Sequence, residues 1–291
     1  MIPHTDLILN PDGSVYHLRL LPHQVAKTII TVGDPHRVAD VSKHFDTIEH
    51  KVEYREFITH TGYLNNHHLS VISTGIGTDN IDIVLTELDA LFNVDLHHRK
   101  VKEELTTLKI IRLGTSGCLQ ADIPVDSILI SEYSIGLDGL LHHYVLENTI
   151  QELNLLNAFV GQISLPNITP YVVRGGEELI QLFEKKYVKG VTLTAEGFYA
   201  PQGRKIRIPI SNPSILDDLT VFKHPHHRVT NLEMETAGIY GLGKIMGHEC
   251  LSINALIANR ATLTFSEDPK LTVDKMIEEV LEVLTDKMSM I

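Results

Sequence analysis

The sequence has few cysteines, and that shortage excludes a class of protein. Its 291 residues contain only two cysteines, Cys118 and Cys250, which lie far apart and lack the CxxC spacing of a thiolate metal site. A small secreted scaffold held together by disulfides is therefore excluded, and a reducing compartment is expected.

Basic residues and long apolar runs are also scarce. The chain has 25 Lys and Arg against 37 Asp and Glu, for a formal net charge of -12. Such a surface repels a phosphodiester backbone or an anionic bilayer, so we expect no nucleic-acid partner and no membrane partner. No apolar run approaches the ~18 residues of a membrane helix, and the N-terminus lacks a basic stretch followed by an apolar core. We expect a soluble protein of the cytoplasm.

Short β-branched runs alternate with helical patterns, which indicates an α/β fold with a largely buried sheet. Three runs are predicted as strands that each end in a glycine turn: 28–32 before 33–35, 69–73 before 74–77, and 109–113 before 114–117. Pro35 is placed to open a helix, and a further helix is predicted over 79–92 with Asp79 as its cap. Ligands of open α/β sheets bind outside the carboxyl ends of the strands, so we expect the site at these turns.

The chain carries no linker rich in Pro, Gly or Ser and no internal repeat, which predicts one domain over residues 1–291. The charged, histidine-bearing segment 93–107 lies between a helical pattern and a strand pattern and is predicted to be a surface insertion. A C-terminal packing helix is predicted from apolar residues at helical spacing. These are Val273, Met276, Ile277, Val280, Leu281, Leu284 and Met288.

Three familiar site patterns are incomplete. Gly75-Ile76-Gly77 begins like a dinucleotide fingerprint, but Asn80 stands at its third glycine position. Ser116 lacks the GxSxG context of a nucleophile elbow. The 17 histidines include adjacent pairs but no HExxH spacing, so we interpret them as surface or ordinary structural residues. We therefore expect no cofactor and no zinc site.

Polar residues beside the predicted glycine turns suggest an anion pocket. Arg37 and Arg112 stand at or beside predicted strand ends, where free backbone N–H groups can cradle an anion, and Thr115 adds a hydroxyl donor. Each arginine alone is compatible with a surface salt bridge. Together they outline a pocket for an oxyanion or a phosphate.

Two further groups could bind a neutral polar ligand. Glu235 stands where an apparent strand turns into a helix, so it could favour the helix dipole or accept two hydrogen bonds from a diol. Gln202 and Arg204 follow Phe198 in a loop rich in glycine and proline. A planar amide beside a planar guanidinium could read a polar ring that stacks on an aromatic face.

Five motifs resemble, in order, the signature of the nucleoside phosphorylase family. They are Gly33-Asp34-Pro35-His36-Arg37-Val38, Tyr54-Arg55-Glu56-Phe57, Ser73-Thr74-Gly75-Ile76-Gly77, Arg112-Leu113-Gly114-Thr115-Ser116-Gly117 and Glu233-Met234-Glu235. The resemblance runs from His17 to Arg260 and implies a single-domain, three-layer α/β/α fold around a central mixed sheet. Within the family the chain is most similar to the uridine phosphorylases, because the loop 198–204 resembles their pyrimidine-reading loop. Asn259-Arg260 also replaces the Ser-Asp pair of the trimeric-hexameric purine nucleoside phosphorylases.

The resemblance implies a pentosyltransferase that cleaves the N-glycosidic bond of uridine with phosphate as co-substrate, giving uracil and ribose 1-phosphate. It implies that phosphate is held by Gly33, Arg37, Arg112, Thr115 and, from a neighbouring subunit, Arg55. It implies that the ribose is held by Glu235, by the Met234 backbone and, from a partner subunit, by His17. The base would contact Phe198, Gln202 and Arg204, and Arg204, Arg112 and Glu235 are expected to carry catalysis.

The resemblance also implies a homo-oligomer with active sites shared across a dimer interface, and it leaves dimer and hexamer open. In some bacterial relatives a potassium ion lies at that interface on residues that match Glu56, Ile76 and Asn80. The family has serine at the last of these positions, so Asn80 departs from the pattern. The insertion 93–107 is longer than in compact bacterial members, and we expect it to affect how dimers pack into larger rings.

Two other functions stay open at this point. One is a purine nucleoside phosphorylase on the same scaffold, and the other is a non-catalytic sensor that binds a nucleoside. A hydrolytic nucleosidase is disfavoured, because Arg37, Arg55 and Arg112 would then have no ligand.

Overall fold

The computed structural model describes residues 1–287, which form thirteen strands and seven α-helices. The strands are β1 (Thr28–Val32), β2 (Thr47–Tyr54), β3 (Phe57–Leu64), β4 (His67–Ser73), β5 (Val94–Asp95), β6 (Lys100–Val101), β7 (Lys109–Cys118), β8 (Ile128–Gly136), β9 (Tyr171–Arg174), β10 (Val188–Thr194), β11 (Val229–Glu233), β12 (Glu249–Asn259) and β13 (Thr264–Phe265). The helices are α1 (Pro35–Ser42), α2 (Thr78–Asn93), α3 (Ile150–Val160), α4 (Glu177–Phe183), α5 (Ile215–Val221), α6 (Thr236–Met246) and α7 (Pro269–Lys287). Within residues 1–287, no helix combines the length and the apolarity needed to cross a membrane.

Eleven of these strands form one mixed sheet in the order β13-β12-β8-β10-β11-β7-β1-β4-β3-β2, with β9 beside β8. Strand β7 takes part in three pairings, because its first half pairs with β1, its last two residues with β11 and its whole length with β12. Strand β12 also pairs with β8. Strands β7, β12, β8, β10 and β11 therefore close into a ring at one end of the sheet.

The two faces of the sheet bury different helices. Ile30 and Val32 of β1 belong to a core with α1, α4 and α7, whereas the adjacent Ile29 belongs to a core with α2 and α6. This alternation follows from the two-residue period of a strand. It confirms the predicted α/β fold with helices packed around a central mixed sheet. Truncating one such buried isoleucine to alanine would cost about 2–5 kcal/mol.

The predicted C-terminal stripe forms the inner face of α7. Its members in the described part of the chain are all buried: Val273, Met276, Ile277, Val280, Leu281 and Leu284. Met288, which continues the stripe, lies outside the described residues. The assignment of one domain to residues 1–291 stays a prediction.

Two of the three predicted glycine turns are confirmed, and the third is wrong. Strand β1 ends before 33–35, where the Asp34 carboxylate accepts a hydrogen bond from the His36 N–H at 2.9 Å and caps α1. Strand β4 ends before 74–77. Residues 114–117 instead continue β7, because the backbone of β12 pairs with this segment as far as Cys118.

The predicted cap of the next helix is also wrong. Helix α2 begins at Thr78 with Gly77 as its N-cap, so Asp79 lies inside the first turn. A carboxylate in the first turn still interacts favourably with the helix dipole, which is why the local pattern resembled a cap.

The segment 93–107 does more than cover the surface. It contains the hairpin of β5 and β6, between which Arg99 is buried. The Arg99 guanidinium donates hydrogen bonds to the backbone carbonyls of Ile2, Pro3 and Leu7. The insertion therefore clamps the N-terminal arm, a role that the charged composition of the segment did not indicate.

Removing this clamp should destabilise the protein. We expect Arg99→Ala to lower the free energy of unfolding by about 2–4 kcal/mol, because buried carbonyls lose a charged donor. Urea unfolding measures the change. The neighbouring exposed Lys100 is the matched control, and Lys100→Ala should change the same quantity by less than about 0.5 kcal/mol. Equal stabilities of the two variants would contradict the clamp.

Candidate active site

A cavity of about 800 Å³ opens where β1, β4 and β11 end and along the second half of β7. The sheet thus brings together residues that are distant in sequence, as expected at the carboxyl ends of strands. The predicted site residues that line the cavity are Gly33, Arg37, Glu56, Ile76, Asn80, Arg112, Thr115, Phe198, Gln202, Arg204, Met234 and Glu235. The structure places His17 and Arg55 elsewhere.

Arg112 projects from the middle of β7 rather than from a strand end, since β7 continues to Cys118. Its buried Nη2 donates to Glu235 Oε2 at 2.6 Å and lies 3.2 Å from Glu233 Oε2. Its Nη1 donates to Asn254 Oδ1 at 3.1 Å. Burial opposes a charge here, but the two carboxylates outweigh it and hold the pKa of Arg112 above its ordinary value. Arg112 therefore stays charged, as one cation beside two carboxylates in the wall of the cavity.

Gly114 makes room for this guanidinium. A Cβ atom on residue 114 would lie 1.8 Å from Nη1 of Arg112. The arginine side chain therefore lies against its own strand at a point where that strand has no side chain. The sequence marked this glycine as a turn residue, whereas its role is the close approach of Arg112.

Arg37 adds a second cation. It lies in α1, and its Nη1 donates to the Leu113 carbonyl at 3.1 Å. Burial lowers the pKa of Arg37, and the positive charge of Arg112 lowers it further. The two guanidiniums are therefore close enough to repel each other. Gly33 and Thr115 line the same cavity. Planar guanidiniums with nearby N–H and O–H donors suit an oxyanion such as phosphate.

The two neighbouring glutamates have different tasks. The Glu233 carboxylate accepts hydrogen bonds from the backbone N–H groups of Glu235 and Thr236 and from the Thr194 hydroxyl, so it secures the start of α6. Glu235 accepts from the Gly77 N–H at 2.8 Å and lines the cavity. Burial raises the pKa of Glu235, and the charge of Glu233 adds to that effect while Arg112 opposes it. Glu235 is thus the carboxylate available to a ligand.

A second cationic region, formed by Arg204 and Arg260, lies in and beside the loop after β10. The Arg204 guanidinium lies 3.8 Å from the centre of the Phe198 ring, and its Nη1 donates to Gln202 Oε1 at 2.7 Å. Gln202 is buried, and its backbone carbonyl accepts from Arg260 Nη1 at 3.3 Å. Burial, with a contribution from Arg260, lowers the pKa of Arg204 to about 10. An amide, a guanidinium and an aromatic ring therefore meet in this loop, as the sequence predicted.

Sequence reasoning missed several members of the site. Glu233 was visible only as one of two nearby acids, although a carboxylate near the N-terminus of a helix interacts favourably with the helix dipole. Ser116 lines the cavity and accepts a hydrogen bond from Asn231 Nδ2 at 3.0 Å. Phe265 lies in β13 at the cavity, 64% exposed, and nothing in its local sequence marked it.

His17 and Arg55 both lie outside the cavity, and each lies near the Tyr16 ring. The Glu87 carboxylate accepts from the His17 backbone N–H at 3.0 Å and lies 2.7 Å from His17 Nδ1. The Tyr16 ring contacts the His17 ring, and the Arg55 guanidinium lies 5.9 Å from the Tyr16 ring centre. The ligand roles of all the site residues stay predictions.

The residues that match the relatives' potassium site, Glu56, Ile76 and Asn80, line the cavity. Asn80 Nδ2 donates to Glu56 Oε1 at 3.3 Å, and the binding of a monovalent ion here stays a prediction. A Cβ on residue 75 would lie 2.4 Å from the same nitrogen, which shows how tightly this amide is packed. Within residues 1–287, no group of three or more His, Cys, Asp or Glu side chains is arranged to hold a metal ion.

Comparisons with known proteins give matches over most of the chain. The family model of the phosphorylase superfamily matches residues 27–288. A uridine phosphorylase of Thermococcus kodakarensis is 28% identical over 278 residues, covering 94% of this chain and 88% of the relative. A DeoD-type purine nucleoside phosphorylase of Shewanella loihica is 24% identical over 269 residues, covering 91% and 96%. The solved structure of a Trypanosoma brucei nucleoside phosphorylase, described as having uridine phosphorylase activity, gives a TM-score of 0.89 at 28% identity, covering 96% and 99%.

A methyl group at position 114 should displace Arg112. We expect Gly114→Ala to weaken the binding of inorganic phosphate at least about tenfold, because one charge-assisted contact is lost, as measured by titration calorimetry. Gly139→Ala is the matched control, since a Cβ at that exposed glycine meets no atom within 4 Å. Unchanged phosphate affinity in Gly114→Ala would mean that Arg112 does not bind the anion.

Proposed function

The chain belongs to the phosphorylase superfamily, and on that premise we propose that it cleaves the N-glycosidic bond of uridine with phosphate, giving uracil and ribose 1-phosphate. One observation carries the proposal. A single cavity holds the cationic pair Arg37 and Arg112, the carboxylate Glu235 and the base-reading pair Gln202 and Arg204.

The phosphate is bound by Arg37 and Arg112, with Thr115 and the Gly33 backbone as further donors. Arg112 already has Glu235 and Glu233 on Nη2 and Asn254 on Nη1, so the Nε–H and the second N–H of Nη1 are the groups left for the anion. Guanidinium N–H groups arranged in a plane match phosphate oxygens in pairs, which a lysine cannot do.

The ribose lies between the phosphate and the base in this proposal. Glu235 accepts hydrogen bonds from the ribose hydroxyls, and the Met234 backbone supports them. Glu235 is fixed for this task by the Gly77 N–H and by Arg112, so the ribose site and the phosphate site share one ion pair. His17 reaches the 5′ side from a partner subunit.

The uracil edge presents a carbonyl, an N–H and a second carbonyl, so a reader needs both acceptor and donor groups. Gln202 Oε1 already accepts one hydrogen bond from Arg204, and its second lone pair can accept from the ring N–H. Arg204 donates to a uracil oxygen. The Phe198 ring offers an aromatic face beside this pair.

The charges lie where the reaction develops charge. Cleavage of the glycosidic bond makes the ribose positive and the departing base negative, so the transition state is stabilised by charge aimed at both groups. Bound phosphate stabilises the cationic ribose and then bonds to its C1, while Arg204 stabilises the leaving base. Each charge-assisted hydrogen bond contributes about 1.5–3 kcal/mol, so the loss of one costs about one to two decades in rate.

We place this reaction in the cytoplasm, in the salvage and breakdown of pyrimidine nucleosides. The two cysteines, Cys118 and Cys250, are free and buried, which suits a reducing compartment.

Purine nucleosides are the second candidate substrate, because DeoD-type purine nucleoside phosphorylases also match most of the chain. One absorbance assay separates the candidates: uridine, thymidine, inosine and adenosine, each with and without phosphate. The proposal expects phosphate-dependent loss of uridine. Phosphorolysis of inosine at a rate comparable to that of uridine would favour a purine nucleoside phosphorylase. Nucleoside binding without turnover would favour a non-catalytic sensor.

Gln202 and Arg204 should contribute differently to substrate recognition and to the rate of the chemical step. We expect Arg204→Ala to lower kcat for uridine by about one to two decades, because the leaving base loses its cation. Gln202→Ala should mainly raise KM for uridine and relax the discrimination against inosine, since it removes recognition and leaves the cation in place. Steady-state kinetics on both substrates measures the split. If both variants lose kcat equally, the two roles are not separate.

A site shared between subunits predicts complementation. Neither His17 nor Arg55 lines the cavity of its own subunit, and both lie near Tyr16, which supports their donation to a partner. Mixing inactive Arg55→Ala with inactive Arg112→Ala under subunit exchange should restore about a quarter of wild-type activity. Half of the dimers are then mixed, and each has one intact site.

The matched control for this experiment mixes Arg37→Ala with Arg112→Ala. Both changes affect the cavity of the same subunit, so no mixed dimer contains an intact site. Activity recovered in this control, or none recovered in the first mixture, would contradict the shared site.

A further inference from the structure

A directional chain of hydrogen bonds runs behind the cavity through five strands. Asn254 of β12 donates to Ser131 of β8 at 3.1 Å, and the Ser131 hydroxyl lies 2.5 Å from that of Thr192 in β10. Thr192 donates to Asn231 Oδ1 of β11 at 2.9 Å, and Asn231 Nδ2 donates to Ser116 of β7 at 3.0 Å. All five side chains are buried. This series of hydrogen bonds thus follows the closed ring of strands and ends at the Ser116 hydroxyl, which lines the cavity.

This series of hydrogen bonds fixes the orientation of the Asn254 carboxamide. Its Nδ2 donates to the hydroxyls of Ser131 and Ser252, at 3.1 and 3.2 Å. Oδ1 therefore faces Arg112 and accepts from Nη1 at 3.1 Å. The flipped amide would set two donors against each other and leave the buried carbonyl oxygen without its charged donor, which is costly in a buried site.

The guanidinium of Arg112 is consequently held from two sides. The carboxylates of Glu233 and Glu235 hold Nη2, and Asn254 holds Nη1. The Ser252 hydroxyl also lies near Nη1, at 3.4 Å, but it accepts a shorter bond of 2.9 Å from Thr236. Asn254 is thus the main neutral group that opposes the pull of the carboxylates.

We propose that Asn254 is a positioning residue that holds Arg112 in place for phosphate. It acts through Arg112, and the inference rests on the proposed phosphorolysis. Because Asn254 is neutral, it holds the arginine without adding a third negative charge to the two carboxylates at Nη2, so it does not weaken the attraction of the guanidinium for the anion further. A carboxylate at this position would hold the guanidinium equally well but would compete with phosphate for its charge.

Two variants of similar size separate positioning from charge. Asn254→Leu removes the acceptor, so the guanidinium shifts towards Glu235. We expect its phosphate affinity to fall at least about tenfold and its kcat at saturating phosphate to fall about as much. Asn254→Asp keeps an oxygen against Nη1, so we expect a raised KM for phosphate with a kcat within about threefold of wild type. In Asn254→Asp, KM for uridine should change little, because Arg112 keeps its contacts on both sides and Glu235 keeps its bond from the Gly77 N–H.

Thr61→Val is the matched control for stability. Thr61 is buried in β3, where its hydroxyl donates to the Gln24 carbonyl and contacts Ser70, so the variant loses buried hydrogen bonds in another part of the sheet. Calorimetry with inorganic phosphate and steady-state kinetics are run on all four proteins. Thr61→Val should keep the wild-type phosphate affinity.

The outcomes decide the inference separately from the proposed function. Wild-type phosphate affinity in Asn254→Leu overturns it, and so does an equal loss of affinity in Thr61→Val. If Asn254→Leu does not fold, Asn254→Asp decides, since an unchanged KM for phosphate overturns the inference and a raised one supports it. If wild type binds phosphate without cleaving uridine, the proposed function fails, while the calorimetric comparison still tests Asn254.

Discussion

The site depends on the burial of one positive charge, the guanidinium of Arg112, inside the sheet. A buried cation is strongly unfavourable unless its N–H groups are paired, and the chain pairs this one with two carboxylates and an amide oxygen. Space for it comes from Gly114, where a Cβ would collide with Nη1. The closed ring of strands supplies or positions these partners, because Asn254 lies on β12, Glu233 ends β11 and Glu235 follows two residues later. The fold and the proposed anion site therefore rest on the same contacts.

The two glutamates illustrate how folding and ligand binding share one short segment. Glu233 is used entirely by the protein, since it accepts bonds from two backbone N–H groups and from Thr194 and so starts α6 in a fixed place. Glu235, two residues later, faces the cavity and remains able to accept from a ligand. Because a carboxylate bound to several donors resists movement, Glu233 gives Glu235 a rigid base. An acid that carried both tasks would have to break its structural bonds each time a ligand bound.

Patterns of neighbouring residues correctly predicted the elements that depend on side-chain period and backbone geometry. The strand 28–32, the proline that opens α1 and the stripe of α7 follow from side-chain period and backbone geometry, and the structure has all three. The same reasoning placed a turn at 114–117, because glycine there satisfies turn chemistry, whereas pairing with β12 extends the strand. The partners of Arg112 and Arg99 could not be predicted, since Asn254 and Leu7 stand 142 and 92 residues away in sequence. The motif resemblance identified the cavity residues but gave no account of what holds them.

The negative net charge of the chain and the arginines at the cavity have opposite effects on the approach of phosphate. The chain carries a formal net charge of -12, yet Arg37, Arg112 and Arg204 line one cavity and Arg260 lies beside it. The overall field therefore repels a dianion at long range, and salt screens that repulsion over about 8–10 Å. Arg112 is buried in the wall of the cavity, where attraction between charges is stronger than in solvent. Added salt should then weaken the repulsion more than the attraction, so phosphate association depends on the desolvated arginines rather than on electrostatic steering from the surface.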